Sequence, residues 1–264
     1  MKFTKMQGLG NDYLYVFGPV PENVTEICKK LSDRRFGAGS DGMIFISDSR
    51  NADFSMRIFN ADGSEALMCG NGIRCVGKYV YEKGYTDKTL LTVETLSGIK
   101  KLRLNLSGRR VKTVSVGMGT AAVGDLRTLE VSGATVDYYP VNVGNPHAVI
   151  FVDDVETAPL TSLGPLIEKH PAFPGGVNVE FAQLTGNNSI RMRVWERGSG
   201  VTAACGTGAC AVASAAALTG KCAFGGTVTV TLDGGDLAVT VFEDFEVLME
   251  GPAEFVYEGE TAIC

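Results

Sequence analysis

The chain has 264 residues, 45% of them hydrophobic, and a net charge of −6. This is enough for a full core in one large domain or two ordinary ones, and it excludes global disorder. An acidic balance without a basic stripe argues against nucleic acid as a main partner. No run approaches the roughly 18 apolar residues of a membrane span, the first residues lack a signal-peptide core, and seven cysteines form an odd set in a long chain. A disulfide framework is therefore a poor reading, and the composition predicts a cytoplasmic protein with reduced thiols.

In chain order, a helix is expected over 22–35. The run Gly37-Ala38-Gly39-Ser40-Asp41-Gly42 spells a dinucleotide-binding fingerprint but precedes a strand (43–46) where such a site needs to follow one. A second helix starts near Gly72, carries Ile73, Val76 and Val80 on one face, and stops at Gly84. Alternating runs at 102–106 and 111–116 read as strands. Gly, Ala and Thr cluster over 118–124, where two halves should meet. Gly117-Met118-Gly119 follows a strand, but no amphipathic helix follows it, so a nucleotide site fails there too. Further strands are expected at 141–143 and 149–152, a helix near 160–169, and a strand at 191–195. A helix from Gly208 to Gly220 is apolar all round and should be buried. Strands at 227–232 and 237–242 complete a sheet-rich pattern with few helices.

Two stretches are copies of one device. Arg57-Ile58-Phe59-Asn60-Ala61-Asp62-Gly63-Ser64 leads to Cys69-Gly70-Asn71-Gly72, and Arg193-Val194-Trp195-Glu196-Arg197-Gly198-Ser199-Gly200 leads to Cys205-Gly206-Thr207-Gly208. The offset is 136 residues at Arg57 to Arg193, at Cys69 to Cys205 and at the stop glycines Gly84 to Gly220. Gly10-Asn11-Asp12 matches Gly144-Asn145-Pro146, which aligns His147 with Tyr13; Gly39-Ser40-Asp41 matches Gly176-Val177-Asn178. The order of motifs implies gene duplication, with the halves packed closely around a cleft.

Asn71 and Thr207 are expected as helix N-caps. A thiol at a helix start sees unpaired N–H groups and the positive end of the dipole, which favour thiolate and predict a pKa moved from about 8.5 toward neutrality. Gly70 and Gly206 let backbone amides approach a substrate carboxylate. Two such thiols aimed at one carbon suit proton abstraction on one face and return on the other. The remaining cysteines, Cys28, Cys75, Cys210, Cys222 and Cys264, read as inert. A zinc site from the four repeat cysteines is a poor reading, because Cys69 to Cys75 and Cys205 to Cys210 leave five and four intervening residues. Glu196 and Arg197 replace Asn60 and Ala61, which breaks the symmetry and offers a grip on a charged group. Asn11, Asn145 and Asn178 sit in turn-like contexts that suit either turn chemistry or ligand contact.

Those residues, with Lys5-Met6-Gln7-Gly8-Leu9-Gly10-Asn11-Asp12 and Gly144-Asn145-Pro146-His147, resemble diaminopimelate epimerases over nearly the whole length. The resemblance implies an α/β (α+β) fold of two pseudo-symmetric, sheet-rich, barrel-like halves, each around a central helix, with the active site in the cleft. It implies halves of 1–117 plus 249–264 and of 118–248, the last strand (254–258) returning to the first half. It implies Cys69 and Cys205 as the acid–base pair with no pyridoxal phosphate, no other cofactor and no metal, and His147 and Glu196 as groups that tune the thiols. Substrate contacts carry over to Asn11, Asn60, Gly70, Asn71, Asn145, Asn178, Glu196, Arg197, Gly206 and Thr207. The expected activity is interconversion of LL- and meso-2,6-diaminopimelate for lysine and peptidoglycan precursors, in a homodimer. A cofactor-independent racemase of histidine or hydroxyproline on the same fold is the alternative. Gln7, Gly42 and Val201 depart from common family residues without touching the thiols.

Overall fold

The computed structural model describes residues 1–263, so Cys264 lies outside the described residues. Contacts divide the chain into two compact units: Met1–Val116 with the segment from Gly251 onward, and Gly117–Glu250. The elements of the first are β1 (Lys2–Gly8), β2 (Asn11–Phe17), α1 (Val24–Ser32), β3 (Gly42–Asp48), β4 (Phe54–Asn60), β5 (Glu65–Ala66), α2 (Gly70–Glu82), β6 (Leu90–Thr95), β7 (Gly98–Ser107) and most of β8 (Arg110–Thr120). The second holds β9 (Ala122–Val123), β10 (Arg127–Val131), β11 (Ala134–Asn142), β12 (Pro146–Phe151), α3 (Leu160–Glu168), β13 (Asn178–Gly186), β14 (Ser189–Glu196), β15 (Gly200–Val201), α4 (Gly206–Leu218), β16 (Thr227–Leu232), β17 (Gly235–Val241) and β18 (Glu246–Gly251). Strand β19 (Glu254–Glu260) returns to the first unit and pairs antiparallel with β1.

The duplication is visible in the pairing. In the first unit β1 runs antiparallel to β2, β2 parallel to β3, β3 antiparallel to β4, β4 parallel to β6, and β6, β7 and β8 form a meander. In the second unit β11 to β14 and then β16 to β18 repeat that order and those directions. Parallel neighbours need a crossover, usually a helix. Helices α1 and α3 cross β2 to β3 and β12 to β13; α2 and α4 cross β4 to β6 and β14 to β16. The register aligns Tyr13 with His147, because each faces the residue that opens the next strand, Gly42 or Asn178. The counterpart of Asn178 is thus Gly42 and not Asp41, a one-residue correction to the motif alignment.

Helix α1 is shorter than the 22–35 expected. It ends at Ser32 because Asp33 turns its carboxylate to the N–H groups of Arg35 and Phe36, at 2.7 and 2.8 Å, and starts a turn. Its face of Ile27, Cys28 and Leu31 packs on Leu14, Met43, Phe45 and Phe59. Helix α3 does the same with Leu160 and Ile167 on Ala148, Ile150, Val179 and Phe181.

Helices α2 and α4 carry the repeated cysteines. Helix α4 is alanine-rich and buried from Gly208 through Ala217, as its all-round apolar sequence predicts. Small side chains let strands approach it on several sides; it touches β9, β11 to β14, β16 and β17. Helix α2 reads as amphipathic, yet Gly70 through Val80 are all buried. Its polar side does not face water. Arg74, with no exposure, donates to the carbonyls of Gly70 and Pro252, and Lys78 reaches the Val111 carbonyl and the Glu254 carboxylate. Buried cations need such acceptors, and here the returning C-terminal segment supplies two of them. Among the described residues, no helix is long and apolar enough to cross a membrane.

Candidate active site

The helix N-caps are the cysteines themselves, not Asn71 and Thr207. Cys69 and Cys205 are both extended, at φ −136° and −114°, and each sulfur accepts the N–H two residues into its helix. Gly72 N–H lies 3.3 Å from Cys69 Sγ, and Gly208 N–H lies 3.4 Å from Cys205 Sγ. A short side chain with an acceptor at this position satisfies an orphan donor of the first turn. Sulfur takes the place that an oxygen usually fills. Asn71 and Thr207 lie just inside the helices, with Asn71 buried.

Around Cys69 the neighbours come from β2 and the loop before β3. Asn11 Nδ2 donates to Asp41 Oδ2 at 2.7 Å. A carboxylate only accepts, so this bond fixes the amide and leaves Oδ1 facing the sulfur. The Cys69 S–H donates to Asn11 Oδ1 at 3.3 Å. Asp41 in turn accepts from Arg34 at 2.8 Å, and Arg34 grips Asp12 with both amino groups. The Tyr13 hydroxyl is within hydrogen-bond reach of Asn11 and Cys69; burial first, then the neighbouring Cys69 sulfur and Asp41 carboxylate, push its pKa up. Tyr13 and Asp41 are site residues that the sequence reading did not single out. Asn60, predicted at the site, spends its amide on Ser64 Oγ at 3.1 Å, and the Gly70 carbonyl accepts from Arg74.

The surroundings of Cys205 are far more charged. His147 Nε2 meets Asn145 Oδ1 at 3.0 Å, and Asn145 Nδ2 donates to Thr207 Oγ1 at 3.2 Å. Thr207 Oγ1 lies 3.6 Å from Cys205 Sγ. His147 Nδ1 meets Glu180 Oε1 at 2.7 Å, and neither side chain is exposed. Glu196 accepts from the Thr202 hydroxyl and from the Cys205 thiol. Burial pushes the Glu196 carboxyl above the usual range, although those two donors and His147 pull it down.

The expected fall of the thiol pKa is reversed at Cys205. Burial, then the Glu196 carboxylate, then that of Glu180, push this thiol well above its ordinary value; the Thr207 hydroxyl and the Gly208 N–H oppose them and are outweighed. Helix-terminus stabilisation amounts to a fraction of a kcal/mol to about 2 kcal/mol, whereas two nearby carboxylates and full desolvation act together against thiolate. Cys205 therefore rests as a proton-bearing group. Burial likewise pushes Cys28 up to about 12 and Cys75 up to about 11. These two, with Cys210 and Cys222, are buried, reduced thiols away from any cap position.

Of the remaining predicted residues, Asn178 and Arg197 meet each other. Arg197 N–H donates to Asn178 Oδ1 at 2.9 Å, and its Nη1 donates to the Gly175 carbonyl at 2.9 Å. Gly176 turns at φ +74°, and a Cβ there would sit 2.8 Å from Arg197 Cδ, so glycine is required where the arginine stem lies. The Asn178 amide also donates to the Pro146 carbonyl at 3.2 Å. Gly206 is buried at the start of α4.

The same fold occurs in solved structures of a probable proline racemase and of a PhzF-family phenazine biosynthesis protein. A probable proline racemase from Agrobacterium radiobacter superposes with a TM-score of 0.76 over 100% of this chain and 93% of its own, at 18% identity. The family model described as diaminopimelate epimerase matches residues 3–123 and 139–256. The diaminopimelate epimerase of Phocaeicola vulgatus is 50% identical over 98% of each chain, and that of Methanococcus maripaludis strain S2 is 48% identical over 100% of each. The chain belongs to the diaminopimelate epimerase family and is an isomerase.

Proposed function

We propose that the chain interconverts LL- and meso-2,6-diaminopimelate by passing the α-proton between Cys69 and Cys205. The observation that carries this reading is a thiol at the N-cap of the same helix in both copies of a duplicated unit, in a chain of this family. The substrate α-carboxylate is received by N–H groups of the helix first turns, at Gly70 and Asn71 and at Gly206 and Thr207. One sulfur, its own S–H proton first lost to solvent, takes the α-proton as thiolate while the Cα–H bond breaks, and the electron pair spreads into the carboxylate. The other sulfur gives up its S–H proton to the opposite face of Cα. Cys205, held protonated by its surroundings, is the donor when Cys69 abstracts; in the reverse direction the roles exchange.

Two proton-transfer groups of this kind need no cofactor. Asn11, Asn60, Asn145, Asn178, Glu196 and Arg197 form the substrate-binding set, and the asymmetric Glu196 and Arg197 hold the distal amino-acid end. His147 and Glu196 tune Cys205. The reading includes a cytoplasmic homodimer that serves lysine and peptidoglycan precursor synthesis. Proton NMR in deuterated water with LL-diaminopimelate tests it: the α-proton signal should disappear as the meso isomer forms. Deuterium-free, unchanged substrate would refute it.

A further inference from the structure

Behind each capping thiol the duplicated strands place one more side chain. Ile44 faces Tyr15 across β2 and β3, and Glu180 faces Val149 across β12 and β13. The two residues press on their helices at the same point. A Cβ added at Gly72 would lie 2.7 Å from Ile44 Cδ1, and one added at Gly208 would lie 2.8 Å from Glu180 Oε1. Where the first unit buries a methyl group, the second buries a carboxylate with no exposure. One of its oxygens meets His147, and the other, Oε2, has no hydrogen-bond partner among the described residues. Replacing a buried ion pair with apolar groups of like volume is commonly neutral or stabilising. Packing alone therefore gives no reason for a half-partnered carboxylate at a place an isoleucine fills in the other copy.

The carboxylate ends a chain of polar contacts that reaches the sulfur. It only accepts, so the proton at their contact belongs to His147 Nδ1. The ring thus held meets Asn145, which meets Thr207, which meets Cys205. We propose that Glu180 is a positioning residue for proton transfer at Cys205: through His147 it fixes the direction of the Asn145 and Thr207 contacts that end on the sulfur. The proposal rests on the two-thiol reading above. In it Glu180 touches no reacting atom. The groups that face Cys205 are Glu196 from β14, Glu180 from β13, and Thr207 and the Gly208 N–H of α4; His147 from β12 lies behind them, against Glu180 and Asn145 and within reach of the Glu196 charge.

The test uses the full chain with Glu180→Ile, which copies the first unit, and Glu180→Gln, which still accepts from His147. Melting temperature, kcat, KM and the pH profile are measured in both directions. A second readout needs no substrate: the rate at which iodoacetamide alkylates Cys205, followed by mass mapping against pH in a Cys69→Ala background. Glu180→Ile should melt at or near the wild-type temperature, yet lose roughly tenfold or more in kcat with KM nearly unchanged. Its alkylation midpoint should move to lower pH as the negative charge leaves. Glu180→Gln should recover much of kcat. Wild-type kcat and an unchanged alkylation profile in Glu180→Ile would overturn the proposal. So would a loss of kcat that merely tracks loss of folded protein while the alkylation profile stays put. If the wild-type chain does not epimerise diaminopimelate, the two-thiol reading falls, and the alkylation profiles still decide whether Glu180 acts on Cys205.

Discussion

Cys69 and Cys205 occupy the same cap, on helices of the same length, behind the same strand order, yet their surroundings share little. The first thiol donates to an asparagine whose amide is locked by Asp41, with Tyr13 beside it and Ile44 behind the helix. The second sits among Glu196, Glu180 and His147, which take the corresponding places or lie next to them. The backbone, copied by duplication, sets where each sulfur points. The side chains, free to diverge, set how firmly each holds its proton. An epimerase whose two substrate stereoisomers are not mirror images has reason for unequal halves, because the distal end of the substrate must be held on one side only.

The strongest way to break the comparison is to remove each thiol in turn. Cys69→Ala and Cys205→Ala should each lower kcat by about 10²–10⁴-fold in both directions, since each sulfur is needed once per turnover. A variant within tenfold of wild type would show that its thiol is a structural cap and nothing more. Glu196→Gln sharpens the same comparison by pH. The Glu196 carboxylate helps push Cys205 up, so removing the charge should let this thiol ionise at lower pH. In the direction where Cys205 abstracts, the acid limb of the rate profile should move to lower pH, with a loss of roughly tenfold in kcat. Profiles that do not move would sever Glu196 from Cys205.

Much of the scaffold was legible because duplication writes its own evidence: the offset of 136 residues between Cys69 and Cys205 also separates the starts of α1 and α3, at 24 and 160, and their ends, at 32 and 168. What escaped has physical causes. Cap preferences single out oxygen-bearing side chains, so Asn71 and Thr207 drew attention away from sulfurs two residues earlier. The burial of the polar face of α2 has no local signal, because the acceptors of Arg74 and Lys78, at Pro252 and Glu254, lie 178 and 176 residues away. The thiol pKa was misjudged because a helix terminus is a local signal, whereas the carboxylates that outweigh it arrive from β13 and β14. Glu180 was readable in principle. The repeat aligns it with Ile44, a core position, and a glutamate at a core position asks for an explanation.

The two glycines behind the thiols give a smaller contrast, in stability. Alanine is the better helix former by about 0.5–1 kcal/mol, so the sign depends on what the new methyl meets. At Gly72 it meets the terminal methyl of Ile44, the far end of a flexible side chain, and Gly72→Ala should cost less than Gly208→Ala, about 1 kcal/mol or below. At Gly208 it meets Glu180 Oε1, held 2.7 Å from His147, and also Cys205 Sγ at 3.3 Å. Gly208→Ala should cost about 1–3 kcal/mol and lower kcat as well. Equal costs in urea denaturation would mean that the carboxylate is no more fixed than the methyl.

The smallest effect lies where α1 and α3 end. Ser32 closes α1 with a hydroxyl pair to Ser40 at 3.2 Å. Its counterpart Glu168 closes α3 with a clamp: it accepts from Trp195 Nε1 at 2.7 Å and from Gly198 N–H at 2.9 Å, which ties down the loop that carries Arg197. The bond from Trp195, then that from Gly198, with help from Lys169 and Arg197, hold the Glu168 carboxyl below its usual range despite burial. A carboxyl depressed in the folded state contributes stability above its unfolded pKa of about 4.3, and that contribution is lost as pH falls through the folded value. Glu168→Gln should therefore cost about 1 kcal/mol at neutral pH, with the gap to wild type closing in acid. Ser32→Ala should cost a similar or smaller amount, about 0.5–1.5 kcal/mol, at every pH. Denaturation of both variants at pH 7 and at about pH 3, below the usual carboxyl range, separates them. A gap for Glu168→Gln that stays constant with pH would mean the clamp is held by shape, not by charge, and that the loop bearing Arg197 owes its position to Gly176 and Asn178 alone.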